Sequence, residues 1–136
     1  MVTIHSERLP KEERVSSKKT IDKLFNGGKS HSMSAFPLRV VYMLMTEDGP
    51  QRLPKTQLLV SVPKKCFKQA VKRNRVKRQI REAYRRNRRF VADKMEDGKS
   101  MVMAFIWLDD KLQSSEIVTR KVVNLLQRIG ESYEHS

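Results

Sequence analysis

The chain has 136 residues, which is enough for one domain with a single modest core. It carries 29 Lys and Arg against 15 Asp and Glu, a formal net charge of +14, and this excess favours a polyanionic partner: nucleic acid first, an anionic membrane surface second. The longest apolar run, Met101 to Leu108, is too short to span a bilayer, and the N-terminus lacks a hydrophobic signal core, so we expect a cytoplasmic protein. Because Cys66 is the only cysteine, we expect no disulfide within the chain.

The chain opens with a polar segment, residues 1–15, that shows no sustained period. A short helix is predicted next, because Ser16 or Ser17 can cap it and the glycines at 27–28 can stop it. Its apolar side chains recur at the i, i+3, i+4 spacing of one helical face; they are Ile21, Leu24 and Phe25.

Two strands are predicted after this helix. Residues 36–45, FPLRVVYMLM, are rich in branched and aromatic side chains, and loop chemistry flanks them on both sides. Residues 57–62, QLLVSV, have the same character and end at Pro63. Because only the loop 47–56 separates the two runs, we expect them to pair as an antiparallel hairpin.

The longest predicted helix covers residue 68 to about residue 90, which contain neither Gly nor Pro. One narrow face of this helix is apolar, formed by Val76, Ile80, Ala83 and Tyr84. A strand follows at 101–107, MVMAFIW, whose unbroken apolar run is typical of a central strand buried on both faces, with Trp107 in the core.

A last helix is predicted after a cap at Ser114 or Ser115, with Gly130 just past its end. Its apolar stripe consists of Val118, Val122, Leu125, Leu126 and Ile129. The resulting order is helix, strand, strand, helix, strand, helix. We therefore predict an α+β fold, a small sheet packed with three helices, as one domain over 1–136 with its core at about 12–130.

The basic residues are concentrated in one segment. Between Lys64 and Arg89, 13 of the 26 residues are Lys or Arg, and Glu82 is the one acid. Solvated helix faces usually mix the two signs, so nucleic-acid contact is favoured over a plain solvated face. The narrow apolar face argues against a membrane-surface helix, and a preceding strand with Pro63 argues against a helix-turn-helix that reads DNA. RNA is the favoured partner.

The string AVKRNRVKRQIREAY, residues 70–84, resembles the signature helix of the bacterial ribonuclease P protein component. Arg14-Val15 ahead of a helix that ends LFNGGKS, the strand FPLRVVY and the strand end SVPKK extend the resemblance to about residues 12–130. The family fold is a two-layer α/β sandwich with a mixed sheet, like the second domain of a small-subunit ribosomal protein. The resemblance also implies a left-handed βαβ crossover, a hand that no sequence rule predicts.

The resemblance implies a protein subunit of an RNA-based endonuclease that removes the 5′ leader of precursor tRNA. The RNA would do the chemistry with Mg²⁺, so the protein would have no catalytic residue, cofactor or metal of its own, no membrane and no obligate protein partner. The helix would bind the catalytic RNA through Lys72, Arg73, Asn74, Arg75, Lys77, Arg78, Arg81 and Arg85. A cleft between the sheet and the first helix would bind the leader through Arg14, Ile21, Phe25, Phe36, Arg39, Lys64 and Lys65.

Alternatives remain for some of these residues. Phe25 and Phe36 have a spacing that also suits core packing, and Tyr84 is expected in the core. Asn74 is either tolerated in the helix or used for a hydrogen bond. Ile21 and Arg39 stand where the family often has an aromatic residue, so stacking on bases would be reduced there.

Two rival functions are weighed against the RNA-enzyme subunit. A protein-only nuclease needs clustered carboxylates or histidines to hold metal ions, but adjacent acids such as Glu12-Glu13 and Asp109-Asp110 point different ways in regular structure. The three histidines His5, His31 and His135 are scattered and form no metal-ligand spacing with the cysteine. The second rival is a structural RNA-binding protein of ribosomal type. Only the Arg-Asn-Arg signature favours the RNA-enzyme subunit over this rival.

Overall fold

The computed structural model describes residues 10–15, 17–50 and 52–134. After a 3₁₀ turn at Lys11–Glu13, helix α1 covers Lys18–Asn26 and is followed by strands β1, His31–Ala35, β2, Leu38–Thr46, and β3, Thr56–Ser61. Helix α2 covers Ala70–Asn87 and the short helix α3 covers Arg89–Ala92. Strand β4, Lys99–Trp107, and helix α4, Ser115–Glu134, complete the described chain.

The four strands form one mixed sheet in the order β1-β2-β4-β3. Strand β4 pairs antiparallel with β2 and parallel with β3, so it lies at the centre, as its apolar run predicts. The predicted hairpin between the strands at 36–45 and 57–62 is wrong, because β4 lies between β2 and β3. The reason is burial: a nearly all-apolar strand is stabilised by a neighbour on each edge, and the loop at 47–55 is long enough to cross one strand spacing.

The structure contains a strand that the sequence analysis assigned to a loop. Strand β1 has the sequence HSMSA, which lacks the branched residues typical of strands, and it forms the sheet edge, where exposed polar residues are tolerated. It pairs with β2 from Ala35 opposite Leu38, across a turn with a cis peptide between Phe36 and Pro37. The predicted strand at 36–45 therefore begins at Leu38 and supplies the second arm of this hairpin.

The main core lies between one face of the sheet and helices α2, α3 and α4. The predicted apolar stripes of α2 and α4 are confirmed as buried, and Trp107 and Phe105 of β4 are fully buried beneath them. Ser17 accepts a hydrogen bond from the Thr20 amide and Ser114 accepts one from the Ile117 amide, which confirms a serine at each predicted helix start. The sheet and these helices are the two principal layers of the predicted α+β fold, and α3 is an additional short helix.

The predicted stop of the last helix at Gly130 is wrong, because α4 continues to Glu134. Gly130 is buried, and a Cβ atom at this position would lie 2.4 Å from the carbonyl oxygen of Phe90. Glycine is therefore required here by the close approach of the α3 backbone and not by a helix end.

The opposite face of the sheet is covered only in part, by α1. Leu24 of α1 is buried there against Val41 and Met43 of β2 and Val102 and Ala104 of β4. The hand of the β3-α2-β4 crossover stays a prediction from the family resemblance.

Candidate nucleic-acid interface

Helix α2 divides into a buried face and a charged face. Its buried face consists of Val76, Ile80, Ala83 and Tyr84, which occupy about a third of the helix circumference. The remaining faces of the helix carry the predicted RNA-contact residues. Of these, Lys72, Asn74, Arg75, Arg78 and Arg81 are exposed, whereas Arg73, Lys77 and Arg85 are half-buried.

Arg73 has a structural contact that the sequence analysis did not foresee. Its Nη1 atom donates to the backbone carbonyl oxygens of Phe67, at 2.7 Å, and of Lys68, at 2.9 Å. The N-cap residue Gln69 makes no side-chain capping bond. The Arg73 guanidinium instead stabilises the turn that leads into α2. The Arg73 side chain therefore has a structural role in addition to its predicted contact with RNA.

Glu82, the one acid of the basic segment, pairs with two arginines of its own helix. Arg85 donates to Glu82 Oε1 at 2.5 Å and Arg86 donates to the same oxygen at 2.9 Å. The hydrogen bond from Arg85 is the main cause that lowers the pKa of Glu82. Among the described side chains, no carboxylate lies within ion-pair distance of Arg75 or Arg78, so their guanidinium groups are available to an external anion.

A buried polar network anchors α2 to the start of the chain. Tyr84 Oη donates to Glu13 Oε1 at 3.0 Å and lies 2.5 Å from Thr56 Oγ1, while Arg88 Nη1 donates to Glu13 Oε2 at 2.6 Å. Burial is the main cause that raises the pKa of the Tyr84 hydroxyl. Sequence reasoning placed Tyr84 in the core correctly but missed Glu13, which carries no signal within its polar segment.

The network also sets the position of Arg14. The Val15 amide donates to the Leu58 carbonyl oxygen at 3.0 Å, and Arg14 forms an isolated bridge beside Leu58 of β3. Arg81 of α2 is near enough that the charge of Arg14, after desolvation of Arg81 itself, lowers the pKa of Arg81. Arg14 and Arg81, two exposed cations predicted for different RNA contacts, are therefore close enough for their charges to repel each other.

The predicted leader residues lie before and on α1, on β2 and in the turns beside the sheet. Arg39 is exposed on the partly covered face of the sheet, in register with Ile106 of β4, and Ser61 of β3 lies opposite Ile106 on the other side. Phe36 and the exposed Lys64 and Lys65 belong to turns at this same end of the sheet. The end of α1 lies at the other end of β2, where Lys23 and Gly27 share a groove with Met43–Thr46.

The two phenylalanines predicted either to stack or to enter the core are exposed. Phe36 is 63% exposed and Phe25 is 44% exposed, which excludes the core alternative for both. Ile21 is half-buried against the smaller cluster under α1, so it contributes packing there. The structure does not bring Phe25 and Phe36 together, because the residues around them occupy opposite ends of β2.

Comparison with known proteins decides the family. The Ribonuclease P family matches residues 9–130. A ribonuclease P protein component from Porphyromonas gingivalis is 40% identical over 123 residues, which are 90% of this chain and 86% of that protein. The chain belongs to the ribonuclease P protein family. A second relative, the ribonuclease P protein component of Chlorobium phaeobacteroides, is 28% identical over 137 residues, covering 95% of this chain and 92% of that protein.

Solved structures of ribonuclease P proteins share the fold. The protein from Thermotoga maritima superposes with a TM-score of 0.60 at 23% identity, over 85% of this chain and 96% of that one. The protein from Staphylococcus aureus also gives a TM-score of 0.60, at 17% identity, over 89% of this chain and 97% of that one.

Family membership makes this chain a protein subunit of ribonuclease P, a tRNA-processing ribonucleoprotein with endonuclease activity, in which its partner is an RNA. In the described parts of the chain, no group of three or more His, Cys, Asp or Glu side chains could hold a metal ion. His5, His135 and the side chain of Glu12 lie outside what the structure describes. Across residues 10–15, 17–50 and 52–134, no helix is long and apolar enough to span a membrane.

Proposed function

We propose that this chain binds the catalytic RNA of ribonuclease P through the outer face of α2 and guides the 5′ leader of precursor tRNA along the partly covered face of the sheet. The RNA carries out the hydrolysis with Mg²⁺, and the protein supplies charge neutralisation and substrate positioning in the cytoplasm, without a membrane or an obligate protein partner. One observation carries the proposal: the exposed guanidinium groups of Arg75 and Arg78 have no carboxylate partner among the described side chains.

Charge favours RNA as the partner of this face. Each phosphate that Lys or Arg neutralises releases a condensed counterion, so a row of exposed arginines gains affinity for a polyanion. Arginine also binds phosphate oxygens bidentately, which a lysine cannot do. The packing of Ile80 and Tyr84 holds α2 in place, so this charged face is presented without a folding step at the moment of binding.

The proposal that the chain binds the leader depends on exposed side chains on or beside the partly covered face of the sheet. Single strands are bound without sequence preference when bases stack on aromatic side chains and cations follow the phosphates. Phe36 is exposed beside the sheet end that carries Arg39, Lys64 and Lys65, so both kinds of contact are available at this end. Phe25 offers a second aromatic face on α1.

The test of the subunit function is cleavage of a precursor tRNA at low Mg²⁺ by the protein alone, by bacterial ribonuclease P RNA alone, and by both together. We expect cleavage chiefly in the mixture. Cleavage by the protein alone would establish a protein nuclease and overturn the mechanism. Tight RNA binding without any increase in cleavage would favour the structural RNA binder.

The α2 interface is tested by changing Arg75 and Arg78 together to Gln. Each lost phosphate contact should reduce the slope of log affinity against log salt by about 0.7–0.9. The matched control changes two other exposed arginines, Arg52 and Arg120, which we expect to leave the slope unchanged. Equal effects of both double variants would show that only the net charge matters and that α2 is not the interface.

The leader path is tested with Phe36→Ala and Phe25→Ala. We expect each variant to weaken binding of precursor tRNA by the assembled enzyme more than binding of mature tRNA, because only the precursor carries a leader to stack. Equal effects on the two tRNAs would contradict the leader contact.

A further inference from the structure

A surface pocket of about 500 Å³ lies where α2 ends and α3 begins. None of the RNA or leader contacts predicted above falls in it. Its lining combines cations, one carboxylate, one amide and one aromatic ring, from Arg86, Asn87, Arg89, Phe90, Asp93 and Lys94.

The pocket is built on a fixed backbone. Only Arg88 separates α2 from α3, and its bond to the buried Glu13 carboxylate holds this junction against the start of the chain. On the other side, α4 approaches the Phe90 carbonyl oxygen so closely that Gly130 is required. The backbone of Phe90 is thus packed between elements, whereas its side chain remains 40% exposed. An aromatic ring held this way needs no ordering before it contacts a ligand.

Two of the pocket's cations, Arg86 and Arg89, are largely exposed, and each forms one ion pair through its Nε atom. The side chains of Arg86 and Arg89 are 70% and 84% exposed. Arg86 uses its Nε atom on Glu82, and the Nε atom of Arg89 lies 3.8 Å from Asp93 Oδ2, a long exposed pair of little strength. No described contact occupies the terminal Nη atoms of these two guanidinium groups, the atoms that grip phosphate oxygens.

We propose that this pocket receives one unpaired nucleotide of the RNA bound along α2, with its base stacked on Phe90 and its flanking phosphates on Arg86 and Arg89. The inference rests on the proposed function, because an RNA on the outer face of α2 reaches the pocket at the C-terminal end of that helix. A volume near 500 Å³ suits a small organic ligand, and bases in loops and bulges stack on aromatic rings and arginine planes. The site therefore recognises an unstacked base, which a regular RNA duplex does not offer.

The first experiment measures affinity of the full-length chain for bacterial ribonuclease P RNA. Phe90→Leu keeps apolar bulk but removes the aromatic face, and Phe90→Tyr keeps both. We expect Phe90→Leu to weaken binding about tenfold, equivalent to about 1.4 kcal/mol, and Phe90→Tyr to bind as the unmodified chain does. Thermal unfolding of each variant checks that the fold is intact. Wild-type affinity of a folded Phe90→Leu variant would overturn the stacking contact.

The arginine contact has a matched control in the chain. Arg89 and Arg120 are both exposed on helices, and each has an i, i+4 carboxylate, at 3.8 Å for Arg89 and 3.4 Å for Arg120. We expect Arg89→Gln to weaken RNA binding at least threefold more than Arg120→Gln does. Equal losses would overturn the site. A loss with Arg89→Gln but none with Phe90→Leu would mean that the pocket holds a phosphate alone, which also contradicts the proposal.

A Phe90→Trp variant reports the contact directly. Trp107, the natural tryptophan, is fully buried, so red-shifted emission from an exposed Trp at position 90 can be resolved from it. Stacking on a base should quench this emission when the RNA is added, whereas an RNA consisting of a plain duplex should not quench it. Absence of quenching at an RNA concentration that saturates the unmodified chain would overturn the inference. If the unmodified chain itself fails to bind ribonuclease P RNA, the proposed function fails first.

Discussion

The inner and outer faces of helix α2 have opposite effects on the stability of the helix. The inner face buries Val76, Ile80 and Tyr84 completely, and the outer face presents arginines that repel one another. Like charges at i, i+4 cost about 0.2–0.5 kcal/mol per pair, whereas burying one large apolar side chain contributes about 1.5–3 kcal/mol. Packing on one face therefore outweighs repulsion on the other. The comparison teaches that stability and RNA affinity can be changed separately in one helix.

The largest effect should come from the inner face. We expect Ile80→Ala to lower the free energy of unfolding by about 2–5 kcal/mol, because Ile80 is fully buried and its truncation leaves a cavity. Arg78→Ala, two residues away on the exposed side, should change it by at most about 0.5 kcal/mol. Chemical denaturation measures both. A comparable loss in the two variants would show that the faces are not independent.

The second prediction concerns the polar edge of the inner face. Tyr84→Phe keeps the buried ring but removes the hydroxyl that donates to Glu13, so we expect the free energy of unfolding to fall by about 1–3 kcal/mol. A double-mutant cycle with Thr56→Val should show coupling, because both hydroxyls contact one carboxylate oxygen. Additive losses in the cycle would mean that the network does not act as a unit.

The sequence predicts the two faces of α2 well, because both follow from a 3.6-residue period and a one-sided charge distribution. Its failures elsewhere have specific causes. Strand β1 is an edge with ordinary polar residues, and Gly130 serves a close contact with Phe90 that no local pattern reveals. Strands β3 and β4 could each pair with β2, and the length of the loop at 47–55 does not decide between them. The structure places β4 between β2 and β3.

The candidate site follows the same division. The exposed arginines of α2 could be assigned from charge and resemblance, and their exposure agrees with that assignment. The dual use of Arg73 could not, because it depends on where the loop carbonyl oxygens of Phe67 and Lys68 lie in space. The partners of Glu13 are equally invisible in sequence, since they come from β3, α2 and the residue after it.

The third prediction separates the half-buried Arg73 from the exposed Arg75, two positions further along α2. Arg73→Gln removes two hydrogen bonds to backbone carbonyl oxygens, so we expect the free energy of unfolding to fall by about 1 kcal/mol. Arg75→Gln, on the exposed side, should leave stability unchanged and reduce only RNA affinity. Denaturation and RNA binding are measured on both variants. If Arg73→Gln is as stable as the unmodified chain, its carbonyl contacts contribute nothing.

The smallest effect belongs to Glu82, the acid that competes with RNA for arginines of the outer face. Glu82→Gln should lower the free energy of unfolding by only about 0.3–0.5 kcal/mol, because Arg86 is exposed and the Arg85–Glu82 pair, although half-buried, is still reached by solvent. It should also raise RNA affinity at neutral pH, since Arg85 and Arg86 are then available to phosphates.

The pH dependence of this effect has a defined sign. The bond from Arg85 lowers the pKa of Glu82 in the folded chain, so the stability it contributes is present above the unfolded-state pKa and is lost as pH falls through the lowered one. At acid pH the unmodified chain should therefore approach the Gln variant in both stability and RNA affinity. RNA affinity is measured for the unmodified chain and for Glu82→Gln as the pH is lowered. A difference between the two affinities that stays constant into the acid range would show that Glu82 does not act by binding Arg85 and Arg86.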